Sequence, residues 1–353
     1  MTRTNKILIL GDSGFVGSWL ILYLNSFHKY QLYGISKFDK EKHKFHSEIL
    51  KKIKYKNYRI DINNQKRLEE KILEISPDII IHLAAEPLVL RSFKDPLSVY
   101  KTNLNGTMNI YEIALKIKNL KKVITFTTDK VYKNLNKKSI KYSEDDMLGG
   151  NCPYSLSKVL VEEASKYYRS IFLKKKVSLT IIRAGNIIGG GDFNNTRIIP
   201  DLMDHFFNKK KIIIRNINAI RPWQYVISSC DGIYKIICTN KSKLLLQNKY
   251  YEFNLGPKHN KKNVFSLISE INKHLPIPKI INQIKDNKKI LSKKESLFLD
   301  LNSSKAVHTL KWKNQISLKE IIFQTTKWYK SFYSNKDIVE ISNELIYEYK
   351  KKN

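Results

Sequence analysis

Short apolar runs recur along the first half of the chain and predict buried β-strands. They are Lys6–Leu10, Gln31–Ile35, Tyr58–Ile62, Asp78–Leu83, Lys121–Thr127 and Val177–Ile182. Apolar residues at successive positions are typical of strands that are buried on both faces of a sheet. Helical patterns separate the runs, at about 63–75, at about 96–118 and from Tyr154 onward. This alternation predicts an α/β fold with a Rossmann-like, doubly wound parallel sheet.

The first predicted strand leads into a glycine-rich turn, Gly11-Asp12-Ser13-Gly14-Phe15-Val16-Gly17, which opens a helix. Gly11 permits the tight turn, Gly14 lets the backbone approach a pyrophosphate, and Gly17 lets the helix pack close to the strand. The unpaired N–H groups at the start of the helix attract phosphate. The turn therefore predicts a dinucleotide-binding site.

The end of the second predicted strand leaves the choice between NAD and NADP open. NAD-preferring sites often carry an acid there that binds the ribose hydroxyls. This chain has Ser36-Lys37-Phe38-Asp39 instead, and Lys37 would suit a 2′-phosphate. Asp61, at the exit of the third predicted strand, is placed to bind the adenine amino group. Ala84 and Ala85, after the fourth strand, are small enough for a flat cofactor to lie against them.

The side chains that carry chemistry concentrate between residues 127 and 158. The fifth predicted strand ends in Thr127-Thr128-Asp129-Lys130, and a helix then carries Tyr154 and Lys158 four residues apart. A hydroxyl and an acid at a strand end, with a Tyr-x-x-x-Lys pair, indicate hydride transfer involving a nicotinamide, accompanied by proton transfer. The long polar connection at 133–150 predicts a functional loop.

The second half of the chain is less regular and predicts a smaller mixed α/β lobe that covers the strand ends. We assign a dinucleotide-binding domain to 1–185 and a substrate lobe to 186–353, with some elements interleaved. Arg215 and the string Arg221-Pro222-Trp223-Gln224 fall in this lobe. Arginines near aromatic residues suit a diphosphate and a base, although surface arginines that pack on tryptophans produce the same pattern.

The net charge of +32 changes this interpretation little. The lysines are spread along the chain rather than gathered in one stripe, so we expect a solvated surface and no nucleic-acid partner. A positive field also favours an anionic substrate. No apolar run reaches the ~18–20 residues of a membrane span, and no secretory signal is evident, so we expect a cytoplasmic protein with no membrane partner. The cysteines, Cys152, Cys230 and Cys238, are too few and too scattered for a disulfide framework or a metal site.

Several strings resemble the extended short-chain dehydrogenase/reductase family, which includes NAD-dependent epimerases and dehydratases. The matching strings lie at 14–19, 82–89, 102–107, 127–132, 144–150, 183–192, 199–201, 215–224 and 304–306, with Trp312 and Trp328-Tyr329. Within the family, Thr128-Asp129-Lys130 and Ala219-Ile220-Arg221-Pro222-Trp223-Gln224 resemble the nucleotide-sugar 4,6-dehydratases that act on CDP-glucose. Related dTDP-glucose enzymes carry Asp-Glu where this chain has Asp129-Lys130.

The resemblance implies conversion of CDP-glucose to its 4-dehydro-6-deoxy product. The cofactor implied is a tightly bound NAD that is regenerated in each cycle, with NADP left open. Tyr154, with a pKa lowered by Lys158 and the nicotinamide charge, would take the C4 hydroxyl proton, while Thr128 would hydrogen-bond the C4 oxygen. Asp129 would protonate the leaving C6 hydroxyl. The implied cofactor contacts are Gly11, Gly14, Phe15, Val16, Gly17, Asp61, Ile62, Ala84, Ala85, Asn103, Tyr154 and Lys158. The implied substrate contacts are Glu86, Asn186, Arg197, Arg215 and Arg221.

Removal of the C5 proton needs a base, and Lys130 stands at the position where the chemistry needs one. Because a lysine must be neutral to act as a base, Lys130 is either that base or a cation that binds the enolate oxygen. Glu86 and Cys152 replace the Gln and Asp that the family commonly has near the sugar.

Other activities stay open on the same fold. One is a 4,6-dehydratase or 4-epimerase that acts on another nucleotide sugar, and the other is a non-catalytic protein that binds a cofactor or RNA. Asp129 and Lys130 favour dehydration, and the intact Thr128, Tyr154 and Lys158 favour an enzyme. The family pattern also implies a homodimer, or a dimer of dimers, built from the helices that begin near Pro96 and Asn151.

Overall fold

The fold is described from a computed structural model, which covers residues 5–37, 43–137, 140–210, 212, 214, 216–240, 252–258, 261–276 and 298–353. Within these residues the strands are β1 (Asn5–Leu10), β2 (Tyr30–Ser36), β3 (Lys56–Arg59), β4 (Ile79–His82), β5 (Lys122–Phe126), β6 (Ser178–Ala184), β7 (Asn186–Ile188), β8 (Ile220–Tyr225), β9 (Glu252–Leu255) and β10 (Lys261–Asn263).

The helices in the first half are α1 (Phe15–Asn25), α2 (Lys44–Lys52), α3 (Gln65–Ile75), α4 (Val89–Lys94), α5 (Pro96–Tyr100), α6 (Gly106–Lys116) and α7 (Pro153–Lys174). Those in the second half are α8 (Ile198–Asn208), α9 (Val226–Cys238), α10 (Val264–His274), α11 (Ser304–Leu310), α12 (Leu318–Tyr333) and α13 (Ile338–Lys352). A π-helical turn (Lys101–Asn105) joins α5 to α6, and a 3₁₀ turn (Asp129–Val131) follows β5.

The large sheet has seven parallel strands in the order β3-β2-β1-β4-β5-β6-β9. The order reverses between β1 and β4, so the carboxyl ends of these strands border a crevice where open α/β sheets bind ligands. β4 and β6 are buried along their whole length because helices cover both faces. The predicted doubly wound parallel sheet is confirmed.

Two hydrophobic clusters fill the two faces of the sheet. One packs α1, α9 and the C-terminal helices together and contains all four tryptophans, Trp19, Trp223, Trp312 and Trp328. The other packs α3, α6 and α7 and is centred on Tyr111, Tyr168 and Phe172. Because both faces of the sheet are packed against helices, the strand ends are held in place. The loops of the crevice begin at these ends.

The local structure departs from the predicted pattern in three places. The polar stretch after β2 contains a helix, α2, whose Phe45 and Ile49 are buried. β3 ends at Arg59, three residues earlier than predicted. The predicted helix at 96–118 is interrupted by the π-helical turn, which brings the fully buried Asn103 beneath the crevice loops.

The smaller three-stranded sheet has the order β10-β8-β7. β9 lies beyond residue 185 yet completes the large sheet beside β6, and α9 packs on α1, so elements of the two halves interleave. The boundary at residue 185 stays a prediction. Within the described ranges, no helix combines the length and the apolar character needed to cross a membrane.

Candidate active site

A cavity of about 470 Å³ opens at the carboxyl ends of the central strands. The predicted residues in its wall are Gly11, Gly14, Phe15, Val16, Gly17, Ala85, Thr128, Lys130, Tyr154, Lys158, Asn186, Arg197 and Arg221. The fold thus brings the glycine-rich turn, the end of β5, the start of α7 and the smaller lobe to one site.

The glycine-rich turn has the shape of a dinucleotide cradle. Gly11 adopts φ +88°, and a Cβ there would lie 2.7 Å from the backbone nitrogen of Ala84. A Cβ on Gly17 would lie 2.1 Å from the Gly11 carbonyl oxygen, so α1 meets the turn at backbone contact. Gly14 is the N-cap of α1 and lines the cavity together with Phe15 and Val16. The first N–H groups of a helix have no partner within the helix. These residues fit a pyrophosphate at the helix N-terminus.

The predicted adenosine end of this cradle carries an acid that is already in contact with a cation. Asp61 Oδ2 lies 3.2 Å from Lys37 Nζ, and Asp61 Oδ1 accepts the backbone N–H of Asn63 at 3.0 Å. Partial burial works to raise the pKa of Asp61, but the hydrogen bonds from Asn63 and Lys37 outweigh it and lower the pKa. Ile62 is buried against Gly106, where a Cβ would lie 2.6 Å from Ile62 Cδ1.

At the end of β5, Thr128, Asp129 and Lys130 form a connected row. Thr128 Oγ1 donates to Asp129 Oδ1 at 3.1 Å and accepts the Lys130 N–H at 3.3 Å. Lys130 Nζ lies 3.3 Å from both Asp129 Oδ1 and Asn186 Oδ1. Thr128 and Lys130 line the cavity, whereas Asp129 is completely buried. Asp129 Oδ2 has no hydrogen-bond partner within the described residues.

Tyr154 and Lys158 lie on the first turns of α7, facing this row. Burial raises the pKa of Tyr154 to about 12, against smaller lowering contributions from a Thr128 hydrogen bond and from Arg197. The lowered pKa that the resemblance implies depends in part on the nicotinamide charge, and it stays a prediction. Burial lowers the pKa of Lys158 to about 8, with Glu162 acting in the other direction. Lys158 Nζ also donates to the Phe126 carbonyl oxygen at 3.3 Å.

A buried ion pair between Arg183 and Glu162 attaches α7 to the sheet next to these residues. Arg183 on β6 donates to both Glu162 oxygens, the shortest contact being 2.6 Å, and the two side chains are 3% and 2% exposed. Glu162 Oε1 also accepts the hydroxyl of Thr127 at 2.7 Å. Three elements, β5, β6 and α7, are therefore tied together one helical turn below Lys158.

Asn103 and Glu86 meet behind the part of the cavity wall that is formed by Ala85 and Pro87. The Asn103 side chain is fully buried, hydrogen-bonds to the backbone of Glu86 and donates to the Ser157 hydroxyl at 2.9 Å. It therefore connects the loop after β4 to the helix that carries Lys158. Glu86 Oε2 forms a 2.8 Å ion pair with Arg91, and Arg91 is about half exposed at the rim.

The predicted substrate residues of the smaller lobe reach the cavity from β7, β8 and the start of α8. Arg197 NH1 lies 3.0 Å from Asp192 Oδ2, which fixes the guanidinium over the site. Arg221, at 7% exposure, donates to the Ile220 carbonyl oxygen at 2.9 Å. Arg215 lies outside the described residues.

The sequence did not indicate a second buried cluster beneath the glycine-rich turn. Tyr55 donates to Asp12 Oδ2 at 2.7 Å and contacts His46 Nε2 at 3.0 Å. Burial raises the pKa of Asp12 and lowers that of His46 to about 4. Gly34 makes room for the carboxylate, since a Cβ there would lie 1.9 Å from Asp12 Oδ2. The helical spacing of Phe45 and Ile49 could have indicated α2, the helix that carries His46 to this cluster.

The model of the family described as GDP-mannose 4,6 dehydratase matches residues 8–325. The chain belongs to this family. Relatives that include a dehydratase and an epimerase are similar over almost its whole length. The CDP-glucose 4,6-dehydratase of Salmonella typhimurium is 31% identical, with 98% of this chain and 96% of that protein covered. The UDP-glucose 4-epimerase of Mycoplasma genitalium is 24% identical, with 94% and 98% covered.

Solved structures of the same kind share the fold. A dTDP-glucose 4,6-dehydratase from Streptomyces venezuelae, solved with NAD bound, superimposes with a TM-score of 0.79. The superposition covers 95% of this chain and 99% of that one at 18% identity. Membership of the GDP-mannose 4,6-dehydratase family therefore agrees with the doubly wound sheet and with the cavity at its carboxyl edge.

Proposed function

We propose that the protein is an NAD-dependent nucleotide-sugar 4,6-dehydratase, a hydro-lyase, and that its substrate is CDP-glucose. The observation that carries the proposal is the row Thr128-Asp129-Lys130 beside Tyr154 and Lys158. Hydride transfer at C4 needs only the hydroxyl and the Tyr–Lys pair, whereas loss of water needs an acid and a base as well. The similarity to the Salmonella typhimurium enzyme, at 31% identity over nearly the whole chain, supports CDP-glucose.

The cofactor that fits is NAD. It supplies the hydride acceptor for oxidation at C4 and the hydride donor for reduction at C6. The turn from Gly11 to Gly17 would hold its pyrophosphate, Asp61 its adenine and Lys158 its nicotinamide ribose. The ion pair between Lys37 and Asp61 leaves the Lys37 ammonium engaged with a carboxylate, which supports NAD over a cofactor with an additional 2′-phosphate.

The residues of the chain then divide the proton chemistry. Tyr154 and Thr128 bind the C4 oxygen, and Tyr154 receives its proton. The 4-ketone acidifies the C5 proton. Lys130 either removes that proton as a neutral amine or binds the enolate oxygen as a cation. Asp129 is the source of the proton for the C6 hydroxyl, which leaves as water.

The smaller lobe binds the nucleotide end of the substrate. Arg197 and Arg221 place two guanidinium groups where they can bind a diphosphate by bidentate hydrogen bonds. Asn186 orients Lys130 through the 3.3 Å contact. Glu86, held on its loop by Asn103, stands between Ala85 and Pro87, which line the cavity, and it would approach the sugar from that side.

The test is incubation of the NAD-loaded protein with CDP-glucose, followed by the alkali-induced absorbance of a 4-keto-6-deoxy sugar. UDP-, dTDP- and GDP-hexoses serve as matched alternatives. A signal with CDP-glucose alone is the expected result. A signal with another nucleotide transfers the assignment, and interconversion of 4-epimers without the keto product indicates an epimerase. Salt-dependent RNA binding without turnover would reject the enzyme.

We also propose a homodimer formed by α5 and α7, in a cytoplasmic protein whose cysteines are free. Leu156, Leu160 and Tyr167 share one face of α7 and are 39%, 37% and 68% exposed. Leu97 on the adjoining α5 is 78% exposed. The variant Leu97→Glu/Tyr167→Glu should sediment as a monomer, whereas Phe323→Glu, on the distant α12, should sediment like the wild type. A monomeric wild-type protein would reject this interface.

A further inference from the structure

Part of the cavity wall comes from the smaller lobe alone, from the same elements that carry Arg197 and Arg221 or from segments beside them. This part consists of Pro200, Asp201, Asn216, Ala219, Val264 and Leu299. Its four apolar members are buried, and the Ala219 carbonyl oxygen accepts the Val264 N–H at 3.1 Å. Apolar surface with a few polar groups beside it suits the faces and the edge of a flat base.

Asp201 brings a carboxylate to this part of the wall. Among the described residues that line the cavity, the only other acid is Asp192, and its carboxylate is in contact with Arg197 at 3.0 Å. Asp201 stands on the first turn of α8, where its backbone N–H donates to the Arg197 carbonyl oxygen at 3.0 Å. Asp201 therefore follows, by one helical turn, the arginine that is proposed to bind the diphosphate.

A carboxylate in this place can distinguish one pyrimidine from another, because an ionised carboxylate only accepts hydrogen bonds. Cytosine carries an amino group at position 4, whereas uracil and thymine carry a carbonyl oxygen there. The amino group would form a charge-assisted hydrogen bond with the carboxylate, and the carbonyl oxygen would be repelled by it. Asp201 Oδ1 accepts the Thr196 N–H at 2.9 Å, and Oδ2 gives the carboxylate further acceptor sites.

Asn216 is the other polar residue of this part of the wall. Its Oδ1 accepts the Asn218 N–H at 3.2 Å, and its Nδ2 is a donor that suits the O2 carbonyl of a pyrimidine. Because cytosine, uracil and thymine all carry this carbonyl, Asn216 can hold a pyrimidine without distinguishing among them.

We propose that Asp201 selects cytosine as the base of the substrate by accepting a hydrogen bond from its amino group. A uracil or thymine in the same position would set its O4 against the carboxylate, so UDP- and dTDP-sugars would bind less tightly. The base takes no part in hydride transfer or in loss of water, so Asp201 acts on the binding of the nucleotide. The inference rests on the activity proposed above and names the residue behind its preference for a CDP-sugar.

The contact with Thr196 gives Asp201 a structural role as well, and the test has to separate the two roles. Thr196 adopts φ +76°, which is uncommon for a β-branched residue, and Asp201 accepts its N–H. Asp201→Asn keeps an oxygen for this N–H and replaces the second oxygen with an NH₂ donor. The substitution therefore preserves the contact with Thr196 and reverses the hydrogen-bonding character that the base would meet.

The test is the binding of CDP and of UDP to the NAD-loaded protein, measured by isothermal titration calorimetry. The two ligands share the ribose and the diphosphate and differ only on the edge of the base. The wild type should bind CDP more tightly than UDP by about 10-fold or more, and Asp201→Asn should lower this ratio by about 10- to 100-fold. Asp204→Asn is the matched control and should leave the ratio unchanged, because Asp204 lies on the same helix, pairs with Lys210 at 2.8 Å and is outside the described cavity wall.

A change of ligand makes the same test without a substitution. The diphosphate of the pyrimidin-2-one ribonucleoside carries neither an amino group nor an oxygen at position 4. It should bind to the wild type less tightly than CDP and more tightly than UDP. Equal affinity for this ligand and for CDP would overturn the hydrogen bond to the amino group.

Turnover separates the failure of this inference from the failure of the proposed function. With CDP-glucose, Asp201→Asn should raise KM more than it lowers kcat. An unchanged ratio of CDP to UDP affinity in a folded Asp201→Asn protein overturns base selection by Asp201, and so does a wild type that binds UDP as tightly as CDP; neither result touches the dehydratase activity. If the wild type turns over no nucleotide sugar yet prefers CDP in a way that depends on Asp201, the dehydratase proposal fails and the base selection stands.

Discussion

Asn103 holds the backbone of Glu86 from both sides. Its Oδ1 accepts the Glu86 N–H at 2.8 Å, and its Nδ2 donates to the Glu86 carbonyl oxygen at 3.2 Å. A side-chain amide that pairs in this way replaces the neighbouring strand that a loop backbone lacks. The π-helical turn that carries Asn103 is what brings the amide into register with the loop, and such turns often occur at functional sites.

The first prediction concerns this pairing. Asn103→Ala leaves the Glu86 backbone groups without partners and should lower the free energy of unfolding by about 1–3 kcal/mol. The rise in KM should exceed the fall in kcat, because Glu86 and not the Tyr–Lys pair is displaced. Chemical denaturation and steady-state kinetics measure the two effects. Ser157→Ala, which removes one contact and leaves Glu86 paired, is the control; equal losses in both variants would contradict the prediction.

Strands that are buried on both faces could be predicted from the sequence, whereas α2 and the π-helical turn could not. β4 and β6 are apolar at successive positions because helices cover both faces, and that pattern needs no knowledge of the rest of the chain. In α2 the buried Phe45 and Ile49 stand among lysines and histidines, so the lysine-rich composition masked the helical spacing. The π-helical turn could not be predicted from the residues around it, because it places Asn103 against a loop that lies 17 residues earlier in the chain.

The candidate site shows the same division. The glycines, Thr128, Tyr154 and Lys158 sit at the junctions of predicted strands and helices, so their meeting follows from the parallel sheet. The contact of Lys130 with Asn186 joins residues 56 positions apart across two sheets, and no periodicity reports it. The sequence also could not show that burial raises the pKa of Tyr154, because this shift depends on how completely the phenol is buried.

A second prediction separates the two functions of the glycine-rich turn. Gly17→Ala puts a Cβ 2.1 Å from the Gly11 carbonyl oxygen, so it should lower the free energy of unfolding by about 1–3 kcal/mol through forced displacement of backbone. Gly14→Ala meets that oxygen at 3.3 Å and should change stability by less than about 1 kcal/mol. Thermal unfolding distinguishes them.

The second function of the turn, binding of the cofactor, is measured by the affinity of the variants for NAD. If the pyrophosphate approaches the backbone at Gly14, as proposed, Gly14→Ala should weaken NAD binding by about 10-fold, or about 1.4 kcal/mol, while the protein stays folded. Isothermal titration of cofactor-free protein measures this. If Gly14→Ala binds NAD as well as the wild type, the cofactor does not lie against this turn.

A third prediction resolves the role of Lys130. In deuterated water the enzyme should exchange the C5 proton of the substrate, and NMR or mass spectrometry of the product reports the exchange. If the amine is the base, Lys130→Met should lower the rate of exchange by about 100-fold or more. A Lys130→Met variant that exchanges at the wild-type rate would reject the base role.

Lys130→Arg distinguishes the two alternatives that remain. Arginine keeps the positive charge but stays protonated, so it can bind an enolate oxygen and cannot remove a proton. Exchange that survives in Lys130→Arg but not in Lys130→Met identifies Lys130 as the cation. Exchange that is lost in both identifies it as the base.

The fourth prediction follows from the burial of Lys158. Its pKa is lowered by burial from 10.5 to about 8, so folding costs free energy wherever the ammonium is charged in both states, which is below about pH 8. Between pH 8 and 10.5 the folded protein releases this proton while the unfolded chain still holds it. Because the unfolded state then binds more protons, the contribution of Lys158 to stability rises with pH through that window.

Lys158→Met should therefore stabilise the protein by roughly 1–3 kcal/mol at pH 7, and the gain should shrink towards pH 10. It should also abolish turnover, since the ammonium that is proposed to hold the nicotinamide ribose is lost; stability and function are opposed at this residue. Urea unfolding at pH 7 and pH 10 measures the difference. Lys166→Met, an exposed lysine on the same helix, is the control and should change stability little at either pH. A loss of stability at pH 7 in Lys158→Met would show that the hydrogen bond to the Phe126 carbonyl outweighs the cost of burying the charge.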